Sequence, residues 1–157
     1  MQSRKLNRPA RVGVWLGGLA WAVAGFAAVT VVFGILTTGS GPHAGDNSNP
    51  SKPAPRNGLD PQLLQHVHSW PAYALVTLTI AILVGVLVQR VRRVRPFVIG
   101  LLAIELVQVT VGITQARLGL PEVLVGIHMV LAGCLVSAVT AVLLATRDEA
   151  HVSVVEP

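Results

Sequence analysis

A chain of 157 residues that is 52% hydrophobic, only 12% charged and of mean hydropathy +0.65 is too apolar for a soluble domain of this size and reads as a polytopic membrane protein. The net charge of +5 invites a nucleic-acid partner, but the basic residues stand in short blocks beside apolar runs, as topology signals do, and no nucleic acid is expected. A lone cysteine, Cys134, excludes an intrachain disulfide and a paired-cysteine metal site; lying in an apolar run, it is expected to be a small buried core residue.

Segment 1–11 carries Arg4, Lys5, Arg8 and Arg11 and no acid, and reads as a basic cytoplasmic N-terminus. Residues 12–36 form an uncharged run of 25, longer than the ~7–15 residues of a signal-peptide core, so a spanning helix is predicted. Gly13, Gly17, Gly18, Gly25 and Gly34 are expected to let neighbouring helices approach closely. Residues 37–60, rich in Gly, Pro, Ser and Asn, read as a loop. Asp60 is placed to cap a second helix over 61–88, with Pro61 in its first turn, Trp70 at headgroup level and a kink at Pro71.

The block QRVRRVRP precedes a third span over 97–116, which carries Glu105, Gln108, Gly112 and Gln115 along one helical stripe. A tight turn from Arg117 leads to Pro121 and a fourth span over 122–145. Residues 147–157 read as a polar cytoplasmic tail. The fold class is therefore an all-α integral membrane protein, an up-down bundle of four transmembrane helices within residues 12–146. With the N-terminus inside, nine basic residues fall on inner segments and only Lys52, Arg56 and Arg117 on outer ones, which places both termini in the cytoplasm.

Two segments share a pattern. PQLLQHVH (61–68) and PEVLVGIH (121–128) each open on Pro and place His seven residues later, at His68 and His128. A seven-residue offset is about 10 Å along a helix, so the two imidazoles lie at matching depth in two parallel helices. An ionisable residue inside a membrane helix is a functional candidate. His66 and His68 are ~200° apart around a helix, so only one of them faces the bundle interior, and His68 is assigned that role. His66 is expected at the headgroups or a loop, and His43 and His151 in solvent. A second, weaker echo, VVFGILTTG (31–39) against VTVGITQARLG (109–119), suggests a duplicated helix pair.

On the diagonal of an up-down bundle, His68 and His128 can supply both axial ligands of a haem. Gly34 and Gly112 are candidates to give it flat room, and Arg117 to meet its propionates. Each histidine as a local hydrogen-bonding group is the competing reading; zinc is disfavoured because no third ligand lies at that depth. Glu105 has two readings, a carboxyl hydrogen-bonded between helices or a step on a proton path.

The segments TGSGPHAGD, QHVHSWPAYAL, QVTVGITQARLGLP and LVGIHMVLAG together resemble the C-terminal half of haem A synthase in its actinobacterial form, over roughly residues 34–145. The resemblance implies half of an eight-helix protein built from two similar four-helix halves, in the plasma membrane of a bacterium. That family oxidises haem O to haem A for cytochrome c oxidase assembly; its N-terminal half carries the catalytic site and its C-terminal half a haem b. His68 and His128 match the C-terminal ligands, with haem b as cofactor. The catalytic half carries Glu three residues before its first His and Arg just after it, where this chain has Gln65 and Ser69, and the paired loop cysteines of some members have no counterpart here. No residue is therefore assigned to catalysis, and the half alone is expected to be inactive. Implied partners are membrane lipid, a catalytic N-terminal-half chain or a second copy, and haem O synthase or oxidase assembly factors. The alternative is a non-enzymatic membrane haem-binding or assembly protein.

Overall fold

The computed structural model describes residues 14–42, 44, 51–52 and 55–155, with side chains described to Arg147 apart from that of Val14. Four helices follow one another: α1 (Val14–Ser40), α2 (Pro61–Val88), α3 (Arg95–Arg117) and α4 (Glu122–Val155). All four are long and apolar enough to cross a bilayer. Hydrocarbon offers no water to an unpaired peptide group, so each spanning segment satisfies its backbone within itself as a helix. The protein is an all-α, multi-pass membrane bundle. Its outward faces carry Trp21, Val32, Ile35, Val84, Leu106, Val130 and Leu144, all exposed, as surfaces that meet lipid do.

The helices form a ring. α1 packs on α2, α2 on α3, α3 on α4 and α4 on α1, and the backbones of the diagonal pairs α1/α3 and α2/α4 stay apart. The most extensive packing lies within the hairpins α1–α2 and α3–α4, the least between α2 and α3. Arg147 closes the α1–α4 seam by stacking over Trp21, 4.8 Å from the ring centre.

Local sequence sets the helix ends. Asp60 accepts from the backbone N–H of Gln62 (2.8 Å) and Leu63 (3.3 Å), capping α2 as predicted. α2 continues through Pro71 to Val88. It then closes with the bonds Arg90 N–H to Leu87 O and Val91 N–H to Val86 O. That is a Schellman ending, with the two valines buried together as its hydrophobic contact. The left-handed residue of this ending is Arg90 (φ 57°), a position where a side chain costs ~1–2 kcal/mol relative to glycine. The end of α3 is built alike, with Leu120 N–H bonded to Gln115 O, but there the left-handed position holds Gly119 (φ 76°).

Two helices outrun their expected bounds. α1 continues through Thr37 and Thr38 to Ser40, where a loop was expected. The hydroxyls of Thr37, Thr38 and Ser40 turn back to the carbonyls of Phe33, Gly34 and Thr37, and that of Thr37 also reaches the Leu64 carbonyl of α2 at 3.3 Å. α4 runs on to Val155 across the segment expected as a tail, since nothing from Thr146 to Val155 breaks a helix.

The tightly packed core lies at the end of the bundle that carries the α2–α3 turn. It comprises Leu16, Ala20, Val23 and Ala27 of α1, Leu75, Ile82 and Val86 of α2, Val98 and Leu101 of α3, and Leu135, Val139 and Val142 of α4. Between Glu105 and Leu135 no residue is buried, so the outer half of the α3–α4 hairpin is loosely enclosed. Cys134 is exposed on the outward face of α4, contrary to expectation; an apolar run in a spanning helix is apolar on its lipid side as well as its core side. The glycines of α1 divide similarly. A Cβ at Gly17, Gly18 or Gly25 would meet nothing within 4 Å, whereas one at Gly34 would press on a neighbour; Gly13 lies outside the described residues.

Lipid chains are as apolar as leucine, so helix association here rests on close packing rather than on the hydrophobic effect. Gly85 carries the tightest contact: a Cβ there would collide with the Trp15 ring and approach Leu16 Cδ2 to 2.8 Å. Gly85→Val is therefore expected to destabilise the α1–α2 hairpin by about 1–3 kcal/mol. Thermal unfolding in detergent measures this, and Gly25→Val, with open space around it, serves as the comparison.

Candidate functional site: a histidine pair between the hairpins

His68 lies in the second turn of α2 and His128 in the second turn of α4, the two helices on one diagonal. Their rings meet across the bundle with centroids 6.3 Å apart and planes at 77°. Matched Pro-to-His offsets thus do bring the two imidazoles to one level. Both are half-buried.

Each imidazole rests on a glycine of its hairpin partner. A Cβ at Gly34 of α1 would lie 3.1 Å from His68 Cε1, and a Cβ at Gly112 of α3 would lie 3.2 Å from His128 Cε1. The two glycines are equivalent positions of the weak VVFGILTTG/VTVGITQARLG echo. That echo therefore coincides with a geometric repeat: two helix hairpins, each with a glycine on its first helix against a histidine on its second. Gly34 and Gly112 were expected to make flat room for a ligand; here they admit the imidazole edges.

The second ring nitrogens differ. His68 Nδ1 lies 2.9 Å from the carbonyl oxygen of Thr30, one turn before Gly34 on α1. An N–H donated there fixes the tautomer and leaves Nε2 with a lone pair. The equivalent position of the repeat is Gln108. Its side-chain Nε2 donates to the backbone carbonyl of His128 at 3.0 Å, while His128 Nδ1 is buried without a hydrogen-bond partner. Gln108 Oε1 and Gln115 Oε1 are also buried and unpartnered.

His66 stands apart from the pair. It is exposed, and its Nδ1 lies 2.8 Å from the carbonyl of Gln62, one turn back on its own helix. The helix phase assigned from the sequence holds. Gln65 is exposed and accepts from the Ser69 hydroxyl through its backbone carbonyl. Arg117, the last residue of α3, is exposed, about 7.5 Å along the helix from Gly112 at 1.5 Å per residue. Trp70 projects outward, 74% exposed, as an interfacial anchor does. His43 and the side chain of His151 lie outside the described residues.

Glu105 is 2% exposed, two turns inward of Gly112 on α3. Thr79 Oγ1 of α2 donates to its Oε1 at 2.7 Å, and Oε2 has no partner. This is the inter-helix hydrogen bond of the simpler reading of Glu105. Sequence reasoning missed Thr79, one of two threonines in the span, because only the packing of α2 on α3 singles it out. The Thr30 carbonyl was equally invisible, being a backbone group.

The pair is suited to a metal that brings most of its own ligands. Among the described residues no three of His, Cys, Asp and Glu come together, which disfavours a protein-built zinc site. The two imidazoles, with ring centroids 6.3 Å apart, could both serve a single metal. A haem would bring its remaining ligands itself, and His68 and His128 are the residues that would hold it. Set against protein-family models, curated proteins and solved structures, the chain matches none.

Thr79→Val removes the only donor, among the described residues, to the buried Glu105 carboxyl. It is expected to cost about 1–3 kcal/mol, with Thr79→Ser retaining most of the stability, as read from thermal unfolding in detergent.

Proposed function

We propose that His68 and His128 are the axial ligands of one haem b. On this reading the chain is the haem-binding half of a haem A synthase-like system in the plasma membrane of a bacterium, with both termini cytoplasmic. The observation that carries the reading is the 6.3 Å separation of the two rings, each backed by a glycine. The quoted segments' resemblance to the C-terminal half of that family supports the narrower assignment, the oxidation of haem O to haem A.

Held by His68 and His128, a haem would supply one-electron transfer. The chain's own residues prepare the site. The Thr30 carbonyl orients His68 by holding the Nδ1 proton. Gly34 and Gly112 let both rings reach the diagonal. Arg117, at the outer end of α3, is placed to attract the propionates. Gln108 ties α3 to α4 at the level of His128.

No residue of this chain takes a catalytic role in the proposal. Gln65 stands where the family's catalytic half has a carboxylate, and an amide neither accepts a proton nor balances a developing cation as a carboxylate does. Conversion of haem O therefore calls for a partner half. A symmetric pair of these chains rebuilds eight helices but repeats Gln65 in both copies. The same Gln65 and Ser69 favour a second reading, a non-enzymatic membrane haem-binding or oxidase-assembly protein.

Purified protein is expected to show a low-spin bis-histidine spectrum. His68→Ala and His128→Ala should abolish or convert it, and His66→Ala should leave it nearly intact. A damaging His66→Ala beside a silent His68→Ala would overturn the ligand assignment. In a host that makes haem O but lacks haem A synthase, this chain alone is expected to yield no haem A on extraction and chromatography. Co-expression with a catalytic N-terminal half should restore it; failure there, with the spectrum intact, selects the non-enzymatic reading.

A further inference from the structure

The inner end of the bundle carries a feature that the histidine pair does not use. A cavity of about 260 Å³ opens where α2 ends and α3 begins, lined by Val86, Leu87, Arg90, Arg92 and Arg95. The turn that makes it is rigidly seated: Val91 and Val94 are buried, and the arginines between and beside them are turned outward and exposed. Arg95 is the first residue of α3, and the N-cap, Val94, supplies no side-chain hydrogen bond, so the positive end of the helix dipole also lies at the cavity rim. Among the described side chains no carboxylate pairs with these arginines. A topology signal needs only basic residues near the turn. It does not need three guanidinium groups around one cavity, nor one of them at a left-handed position that glycine would occupy without strain.

We propose that this cavity binds the phosphate of an anionic phospholipid headgroup. Arg90, Arg92 and Arg95 supply charge-assisted donors to the phosphate oxygens. Leu87, exposed in the last turn of a spanning helix, meets the acyl part. Apolar lining at the end of a membrane span favours a lipid over a water-soluble phosphate, and basic pockets between spanning helices suit such headgroups. Arg93, in the same turn but not lining the cavity, takes no part.

The test is native mass spectrometry of the full chain in detergent, after incubation with phosphatidylglycerol or phosphatidylcholine. Phosphatidylglycerol should be retained well above phosphatidylcholine. Arg90→Gly, and Arg92→Gln combined with Arg95→Gln, should each lower that retention at least five-fold, while Arg93→Gln leaves it unchanged. Lipid-free Arg90→Gly should also unfold at a higher temperature than the parent, because glycine relieves the left-handed backbone, so its loss of lipid is not loss of fold. Equal retention of the two lipids would overturn the proposal, as would equal loss in Arg93→Gln and Arg90→Gly. Displacement of phosphatidylglycerol by inorganic phosphate at matched ionic strength would overturn it in favour of a soluble phosphate ligand.

Discussion

The two imidazoles meet inside the bundle with each ring seated on a position without a side chain. Gly34 and Gly112 are those positions, with His68 and His128 pressed against them. Much of the architecture follows from this pair of contacts. The histidines lie on diagonal helices of a chain that runs up and down, with short turns between α2 and α3 and between α3 and α4. Each must have its glycine on the helix beside it in sequence, so the packing is closest within the hairpins α1–α2 and α3–α4.

The repeat is close but unequal, and the inequality is chemical. Both hairpins place a glycine under a ring, yet only the first gives its histidine a backbone acceptor, the Thr30 carbonyl. In the second, Gln108 holds the backbone of α4 and leaves His128 Nδ1 without a partner. The two rings therefore differ in how firmly they are oriented, one held by a hydrogen bond and one chiefly by packing. The inner half differs in kind again. There Gly85, Ala20 and Ala27 let larger side chains interlock, and Thr79 and Glu105 add a polar tie between α2 and α3.

Much of this was legible in the residues. Apolar run lengths located the spans, Asp60 announced the start of α2, and the shared Pro-to-His offset put His68 and His128 at one level. Helix phase alone separated His68 from His66. What stayed hidden depends on neighbours in space. Gly34 and Gly17 read alike in sequence, but only one faces another helix. Cys134 sits in a run apolar all round, and nothing local distinguishes its lipid side from its core side. The pairing of Thr79 with Glu105 joins residues of different helices. The ends of α1 and α4 were misjudged because composition suggested loop or tail, while the hydroxyls of Thr37, Thr38 and Ser40 satisfied themselves on their own helix.

Closest packing within each hairpin also bears on how such a protein is made. A ribosome feeds a membrane one segment at a time, and a helix that has entered alone exposes its polar and small-residue face to lipid. Here that interval is short. α1 finds its most extensive partner in α2, the next segment to emerge, and α3 finds its own in α4. The bundle can thus enter the bilayer as two prefabricated pairs, and the sparser seams between them, α1–α4 and α2–α3, close when the pairs dock.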